Sequence, residues 1–224
     1  MPLGYVLVGG ASTRMRRDKA LLSWYQGPLF AHLCDVLRPF CGEARLLGQD
    51  RPEFQGHRVL PDAFPGTGPL GGLASALREA GPEWRLVVSC DAPLVNAALL
   101  EELIATAEEQ GAALPDAIIP ETPDGRLQPL CALWHRRVSA TLDRHLESIV
   151  REAVAPRSML SVHRFVETLH VCRFSPSNPG ALRNINSMRN YLAALAGRAE
   201  PESSSHVPHP PGPGDAETPS GSAK

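Results

Sequence analysis

The 224-residue chain lacks the features that would place it in several specialised classes of protein. It has no apolar run approaching the roughly 20 residues that a membrane helix needs, and no stretch near its start has the form of a signal peptide. It also lacks an excess of either charge, because 22 lysines and arginines face 24 aspartates and glutamates. Such a balance gives no general attraction to nucleic acid or anionic lipid. We therefore expect a cytoplasmic protein that binds neither nucleic acid nor membranes.

The five cysteines form no CxxC pair, and their number is odd. Most lie among apolar neighbours, as in "VVSCDAP" around Cys90 and "PLCALW" around Cys131. We expect buried, reduced thiols rather than a disulfide framework or a zinc site, both of which favour paired spacing.

The composition changes abruptly after Gly197. The segment that follows is rich in proline, serine and glycine and contains one large aliphatic residue, Val207. It buries too little apolar area to offset its ordering entropy, so we predict a disordered tail over residues 199–224. Residues 1–198 are long enough to form one domain.

Strand and helix patterns alternate through residues 1–198. "NAALLEELIATAEEQG" predicts a helix that Asn96 caps and Gly111 ends, and "LFAHLCDVLRPF" predicts a helix that Pro39 helps to end. The alternation predicts an α/β fold, a three-layer sandwich with helices on both faces of a mainly parallel sheet. Strands are predicted in "GYVLVG", "EARLLG", "HRVLPD", "EWRLVVSCD", "DAIIPE" and "LQPLCALW", and further helices in "LGGLASALREA" and around 136–150 and 187–197.

The stretch "VLVGGASTRMRRDKALL" (residues 6–22) concentrates basic charge directly after a glycine turn. Ligands of open α/β sheets bind beyond the carboxyl ends of the strands, and Gly9 and Gly10 follow the first predicted strand at that edge. Glycine there lets backbone N–H groups meet anionic oxygens. Arg14 offers a forked pair of donors and Lys19 a compact charge, and both suit phosphate. Charge alone leaves two interpretations open, an anion site and a solvated basic loop.

The same stretch resembles the opening signature L-A-G-G-x-S-x-R-M-G-x-D-K-A-L of the MobA-type nucleotidyltransferases. This molybdopterin nucleotidyltransferase family includes molybdenum cofactor guanylyltransferase. Two positions depart from the signature, since Val8 replaces an alanine and Arg16 replaces a glycine. The matching residues are Leu7, Gly9, Gly10, Ser12, Arg14, Met15, Asp18, Lys19, Ala20 and Leu21.

The resemblance implies a nucleotide-binding loop at the start of the chain, with Arg14 and Lys19 reaching the triphosphate. The residues of that loop would be Leu7, Val8, Gly9 and Gly10.

A second segment, "LPDAFPGTGPLGGLASAL", resembles the family pattern D-x-x-P-G-x-G-P-L-G-G. The resemblance implies that Asp62 contacts the nucleotide and that the ligand approaches the backbone at Gly68, Gly71 and Gly72. Proline- and glycine-rich loops that lead into a small-residue helix suit such an approach.

The segment from Gly66 to Gly71 also fits GxGxxG, and Asp91 lies at the distance that a dinucleotide-binding fold requires. That fingerprint normally follows the first strand directly, whereas here four residues separate the predicted strand end near Pro61 from Gly66. We therefore place a dehydrogenase well behind the nucleotidyltransferase interpretation.

Asp91 follows the strand predicted in "LVVSCDAPLV", another stretch that matches the family. A carboxylate at the end of a strand can hold Mg²⁺ that also bridges phosphate oxygens. The alternative is an aspartate that only forms the turn before Ala-Pro. Together with the opening signature, the position favours the metal ligand.

A last motif, "LRNINSMRNYL", resembles the family pattern N-[IV]-N-T-P-x-[DE]-L. Asn184 and Asn186 point the same way if the segment is extended, and the resemblance implies that they serve the acceptor side of the active site. "SMRN" replaces the usual "TPED", although Ser187 can still cap a helix. Simple turn chemistry is the alternative for the two asparagines.

The resemblance as a whole implies a nucleotide-diphospho-sugar-transferase-like (Rossmann-like) fold. It implies transfer of GMP from GTP to molybdenum–molybdopterin with release of pyrophosphate, and Mg²⁺ as the cofactor. The implied ligands are GTP and molybdopterin or its molybdenum complex, and the implied protein partners are molybdoenzymes and other cofactor-biosynthesis proteins. The implied catalytic residues are Arg14, Lys19, Asp91, Asn184 and Asn186.

Other functions stay open at this point. One is a cytidylyltransferase of the same cofactor or a sugar-phosphate nucleotidyltransferase, because no physical argument from the sequence fixes the base. Another is a non-catalytic adaptor that keeps the fold and delivers cofactor. The departures at Arg16 and "SMRN" permit the adaptor, whereas the intact Lys19 and Asp91 argue against it.

Overall fold

The computed structural model describes residues 1–9, 18–111, 114–151 and 157–198. Of the sequence predictions, those for Gly10, Arg14, Arg16 and the tail over 199–224 lie outside these ranges.

The described residues form nine strands and six α-helices. The strands are β1 (Leu3–Leu7), β2 (Ser23–Trp24), β3 (Gly27–Pro28), β4 (Ala44–Leu47), β5 (Val59–Leu60), β6 (Trp84–Ser89), β7 (Ala117–Pro120), β8 (Cys131–His135) and β9 (Val171–Phe174). The helices are α1 (Leu29–Cys41), α2 (Pro69–Arg78), α3 (Ala97–Glu109), α4 (Ser139–Arg151), α5 (Val162–Val166) and α6 (Met188–Arg198). Among them, none has the length and apolar character needed to cross a bilayer.

Seven of these strands form one sheet in the order β5-β4-β1-β6-β8-β7-β9. β5, β4, β1 and β6 run parallel to one another, and β9 runs parallel to β7. β8 is antiparallel to both of its neighbours. The prediction of a mainly parallel sheet is therefore confirmed.

Helices cover both faces of the sheet, as the sequence predicts. One core cluster packs between the sheet and α1, α3 and α6, and the other between the sheet and α2, α4 and α5. β1 shows how the sequence supplies both clusters, because Val6 joins the first while Tyr5 and Leu7 join the second. Alternate residues of a strand point to opposite faces, and both faces are buried here.

Helix α1 differs from its prediction at the C-terminal end. Pro39 does not end the helix, which continues to Cys41 and stops where Gly42 takes a left-handed φ of 73°. A proline lacks only one backbone donor, and Pro39 lies exposed in the last turn, so the helix continues for two residues beyond it. The short elements β9 and α5 were not predicted from the sequence at all.

Arg85 is a buried charged residue in the middle of the sheet, in β6. Its Nε donates to the carbonyl of Ala76 at 2.8 Å, and its terminal nitrogens donate to the carbonyls of Glu79 and Pro82. Ala76 and Glu79 lie at the C-terminal end of α2, where carbonyls have no partner within the helix. Arg85 therefore caps α2 from the neighbouring strand.

Replacing Arg85 with methionine is expected to lower the free energy of unfolding by about 3 kcal/mol, because buried carbonyls lose their donors. Urea titration followed by circular dichroism measures the loss. The matched change is Arg38→Met, which removes an exposed arginine paired with Asp35 on α1 and should alter stability little. Equal losses in the two variants would contradict the capping role.

Candidate active site

Three neighbouring parallel strands, β4, β1 and β6, end at one edge of the sheet. The Val8 N–H donates to the carbonyl of Leu47 at the end of β4, at 3.0 Å. The Cys90 N–H donates to the carbonyl of Leu7 at the end of β1, at 3.1 Å. The loops after these strands therefore begin side by side, which is where ligands bind in open α/β sheets.

The residues of the predicted nucleotide-binding loop lie at this edge. Leu7 and Val8 are buried in the two core clusters, and Gly9 is exposed. Gly9 touches Gly48, which follows β4: a Cβ at Gly48 would lie 3.1 Å from the Gly9 nitrogen. Gly48 also has a φ of +144°, so glycine is required there for both backbone shape and space.

Lys19 is held at the same edge by a short 3-10 turn over Lys19–Leu21. The Asp18 carboxylate caps this turn by accepting from the Ala20 N–H at 2.9 Å, and the side chain of Ala20 is buried in the core. The Lys19 ammonium donates to Oδ1 of Asn186 at 3.1 Å. A predicted phosphate-binding residue and a predicted acceptor-side residue are thus in contact.

Asp91 directly follows Cys90, just beyond the end of β6, and is half-buried. Its backbone carbonyl accepts from the Ile185 N–H at 2.6 Å. Within the described ranges, its carboxylate forms no hydrogen bond or ion pair. Of the residues that the structure describes, none therefore competes with a ligand for the Asp91 carboxylate.

Lys19 and Asp91 meet on one short segment, Asn184–Asn186. Lys19 bonds to the side chain of Asn186, and Asp91 bonds to the backbone of Ile185, which is buried between the two asparagines. The Lys19 side chain and the Asp91 backbone therefore contact the same short segment.

A cleft of about 280 Å³ opens beside Asp91. Asn184 lines it, and its Nδ2 donates to Oε1 of Gln128 at 3.3 Å. Other residues along its walls are Pro69, Ser161 and His163.

The three glycines of the second motif have different structural reasons. Gly68 is exposed at the start of α2 with a φ of +63°, and nothing lies within 4 Å of a Cβ built there. Gly71 and Gly72 are buried, and their Cβ atoms would lie 2.6 Å from the carbonyl oxygen of Phe64 and 3.3 Å from Cβ of Leu47. Packing accounts for Gly71 and Gly72, whereas the backbone at Gly68 is open to a ligand. Ligand contacts at all three stay predictions.

Asp62 follows β5 and is half-buried beside the start of α2. Burial raises the pKa of its carboxyl group. Its Oδ1 lies 3.4 Å from the Cβ position of Gly72, so this glycine leaves room for the carboxylate. Its contact with the nucleotide stays a prediction.

The GxGxxG match has the wrong surroundings for a dinucleotide site. Gly66 lies in the loop between β5 and α2, and Gly71 lies in the first turn of α2. β5 is an edge strand of the described sheet. The fingerprint belongs directly after the first, central strand of such a fold.

A family model of the MobA-like NTP transferase domain matches residues 4–165 of the chain. This range contains all of β1 except Leu3, the turn that bears Lys19, and Asp91. The chain belongs to the MobA-like NTP transferase family.

Two curated relatives agree with this membership, and one solved structure shares the fold. The MobA-like chain is 41% identical over 118 residues to a molybdenum cofactor guanylyltransferase of Xanthomonas euvesicatoria, a match that covers 52% of this chain and spans 61% of that protein's length. It is 36% identical over 145 residues to one of Pseudomonas entomophila, covering 62% of this chain and 72% of that protein. Molybdopterin-guanine dinucleotide biosynthesis protein A of Archaeoglobus fulgidus has a similar fold, with a TM-score of 0.71, 21% identity, and coverage of 89% and 99%.

Sequence reasoning missed Gln128 in the MobA-like site. The strand predicted in "LQPLCALW" is β8, which is antiparallel, so its first residue, Cys131, pairs with Val88 near the carboxyl end of β6. The start of β8 therefore lies at the edge of the sheet where β4, β1 and β6 end. The sequence "PDGR" before β8 carries this signal, because Asp-Gly is typical of a turn, and a hairpin turn returns the next strand to the edge where the previous one ended.

The donor set of the MobA-like site suits a cation that is shared with a phosphate. In the described part of the chain, no group of three or more histidine, cysteine, aspartate or glutamate side chains could hold a metal ion. Mg²⁺ is commonly bound through one or two carboxylates together with substrate phosphates. Asp91, which lines a cleft and whose carboxylate bonds to no described residue, fits that arrangement.

Proposed function

We propose that the protein transfers GMP from GTP to molybdenum–molybdopterin, forming the guanine dinucleotide cofactor and releasing pyrophosphate. The observation that carries the proposal is the convergence of Lys19 and Asp91 on the Asn184–Asn186 segment. A cation and a carboxylate at one sheet edge are what a metal-bound triphosphate requires. The choice of guanine and of this acceptor rests on the names of the curated relatives.

The reaction needs no protein nucleophile. A phosphate oxygen of the acceptor attacks the α-phosphorus of GTP, a new P–O bond forms, and the bond to the departing pyrophosphate breaks. Lys19 stabilises charge on the triphosphate, and because an ammonium group has several N–H donors, its bond to Asn186 leaves others free. Arg14 assists at the triphosphate, while Asn184 and Asn186 orient the acceptor. The rate gain comes from positioning and charge stabilisation.

Asp91 is the residue that holds Mg²⁺ in this proposal. When bound, the ion neutralises charge on the α-phosphate and on the leaving pyrophosphate. The nucleotide contacts come from Leu7, Val8, Gly9, Gly10, Asp62 and Gly68.

Replacing Gln128 with leucine is expected to raise the KM for the acceptor roughly 5-fold, because the Asn184 amide loses the oxygen that orients it. The Kd for GTP should not change. Gln128→Glu keeps an acceptor oxygen and should stay closer to the original KM. Steady-state kinetics and calorimetric titration measure the two quantities, and an equal loss of GTP affinity would contradict a role on the acceptor side.

A competition assay tests the proposed function. The purified chain is given molybdenum–molybdopterin, Mg²⁺ and equal amounts of GTP and CTP, and the dinucleotide product is identified by mass spectrometry. We expect the guanine product and one pyrophosphate for each product molecule. A cytosine product would assign the sibling activity. GTP binding without pyrophosphate release would favour the cofactor-delivery adaptor.

A further inference from the structure

Arg51 bonds to both described ends of the opening signature. It lies in the segment after β4, beside the end of β1. One terminal nitrogen forms an ion pair with the Asp18 carboxylate, and the other donates to the carbonyl of Val8 at 3.5 Å. Val8 and Asp18 lie on either side of the stretch "GGASTRMRR". One side chain therefore joins the residue that enters this stretch to the residue that leaves it.

Arg51 is itself fixed to the core. Its guanidinium lies over the ring of Phe54, with 4.8 Å from the central carbon to the ring centroid. Phe54 is buried and meets the ring of Phe30 on α1 edge-on, at a centroid distance of 4.9 Å. The backbone N–H of Arg51 also donates to the Asp50 carboxylate at 2.9 Å. A guanidinium held on an aromatic face in this way is preorganised for a carboxylate partner.

The Asp18 carboxylate connects the fixed Arg51 guanidinium to the turn that bears Lys19. One of its oxygens pairs with Arg51, and the other accepts from the Ala20 N–H. The second bond caps the turn on which Lys19 lies. A single carboxylate thus joins the Arg51 guanidinium to the Lys19 turn.

We propose that Arg51 is a positioning residue that sets the place of Lys19 at the triphosphate. This rests on the proposed function. Arg51 has one effect, which is to fix the Lys19 turn through the Asp18 carboxylate. Arg51 acts through Asp18 and does not contact the nucleotide.

The rival account has Arg51 contacting the triphosphate itself. Asp18→Asn separates the two, because asparagine still caps the turn while the ion pair is lost. If Arg51 contacted phosphate directly, releasing it from Asp18 would leave GTP affinity unchanged or increase it. If Arg51 acts through Asp18, the same substitution weakens GTP binding.

Calorimetric titration with GTP and Mg²⁺ compares the original chain with Arg51→Met, Asp18→Asn and the double variant. We expect each single variant to weaken binding roughly 10-fold and the double variant to be no weaker than Arg51→Met, since both remove one interaction. Arg51→Lys keeps the charge without the fork and should fall in between. The control is Arg78→Met, which removes an ion pair between α2 and α4 and should leave GTP binding unchanged.

Hydrogen exchange without nucleotide makes the test independent of the proposed function. The amides of Ala20, Leu21 and Leu22 are bonded within the Asp18–Lys19 turn, and Arg51→Met and Asp18→Asn should both speed their exchange. Unchanged exchange, additive losses in the double variant, or tighter GTP binding by Asp18→Asn would overturn the proposal for Arg51. Faster exchange in a chain that binds no GTP in any form would overturn the proposed function and leave the link from Arg51 to the turn supported.

Discussion

Replacing Asp91 with asparagine is expected to lower the rate of nucleotidyl transfer about 10²–10³-fold at saturating GTP, as when one charge-stabilising group of an active site is removed. Asparagine has nearly the same shape but lacks the charge that attracts Mg²⁺. The fold should not change, because the contact of Asp91 with Ile185 is made by its backbone carbonyl. Pyrophosphate release over a range of Mg²⁺ concentrations measures the effect, and we expect a higher Mg²⁺ requirement along with the lower rate.

The matched control for this variant is Asp143→Asn. Asp143 lies on α4 and pairs with Arg78, so the substitution also removes one carboxylate but leaves the sheet edge intact. Its transfer rate should stay within about twofold of the original, as expected for a substitution away from the site. If Asp91→Asn retained a near-original rate and Mg²⁺ requirement, Asp91 would not be the metal ligand.

Replacing Lys19 with methionine is the second large expected effect, a loss of about 10²–10³-fold in transfer rate. Methionine keeps much of the side chain's length but removes the ammonium that is placed beside Asn186. Lys19→Arg restores the charge with a different shape and should recover part of the loss. Pyrophosphate release again measures the rate.

Chemical labelling gives a check on Lys19 that does not depend on activity. Lys19 is one of two lysines in the chain, and the other is Lys224. An amine-acylating reagent followed by mass spectrometry should label both, and GTP with Mg²⁺ should protect Lys19 while leaving Lys224 reactive. Equal labelling of Lys19 with and without GTP would show that its ammonium does not meet the triphosphate.

The part of the fold that the sequence predicts best is the edge where parallel strands end. Short apolar runs that stop at Gly9 and at Asp91 predict strands, and in parallel strands these ends meet at one edge. The structure confirms the parallel pairing of β1 with β6. The direction of β8 was missed because an apolar run alone carries no direction, although the hairpin turn before it does.

Contacts between distant loops could not be predicted from a single sequence. Arg51 and Asp18 are 33 positions apart, and Asn184 and Gln128 are 56 apart. Neither pair has a spacing rule, because each depends on how two loops fold over the end of the sheet. A local motif can be predicted together with its partner: Asn96 is predicted to cap α3, and its side chain accepts from the Leu99 N–H.

Glycines show a further limit of sequence patterns. A motif rich in glycine suggests close approach of a ligand, yet a Cβ at Gly71 would meet the carbonyl oxygen of Phe64, which belongs to the protein itself. A pattern does not distinguish a glycine that makes room for a helix from one that makes room for a substrate. The structure distinguishes them, because Gly68 in the same motif has open space around it.

A crystal structure with a non-hydrolysable GTP analogue and Mn²⁺ in place of Mg²⁺ is the sharpest test that Lys19 and Asp91 bind the same metal–triphosphate complex. We predict a manganese anomalous peak at the Asp91 carboxylate, with triphosphate oxygens joining that ion to the ammonium of Lys19. A triphosphate bound elsewhere, or an ion at this edge that touches neither Asp91 nor the nucleotide, would show that Lys19 and Asp91 do not bind the same complex.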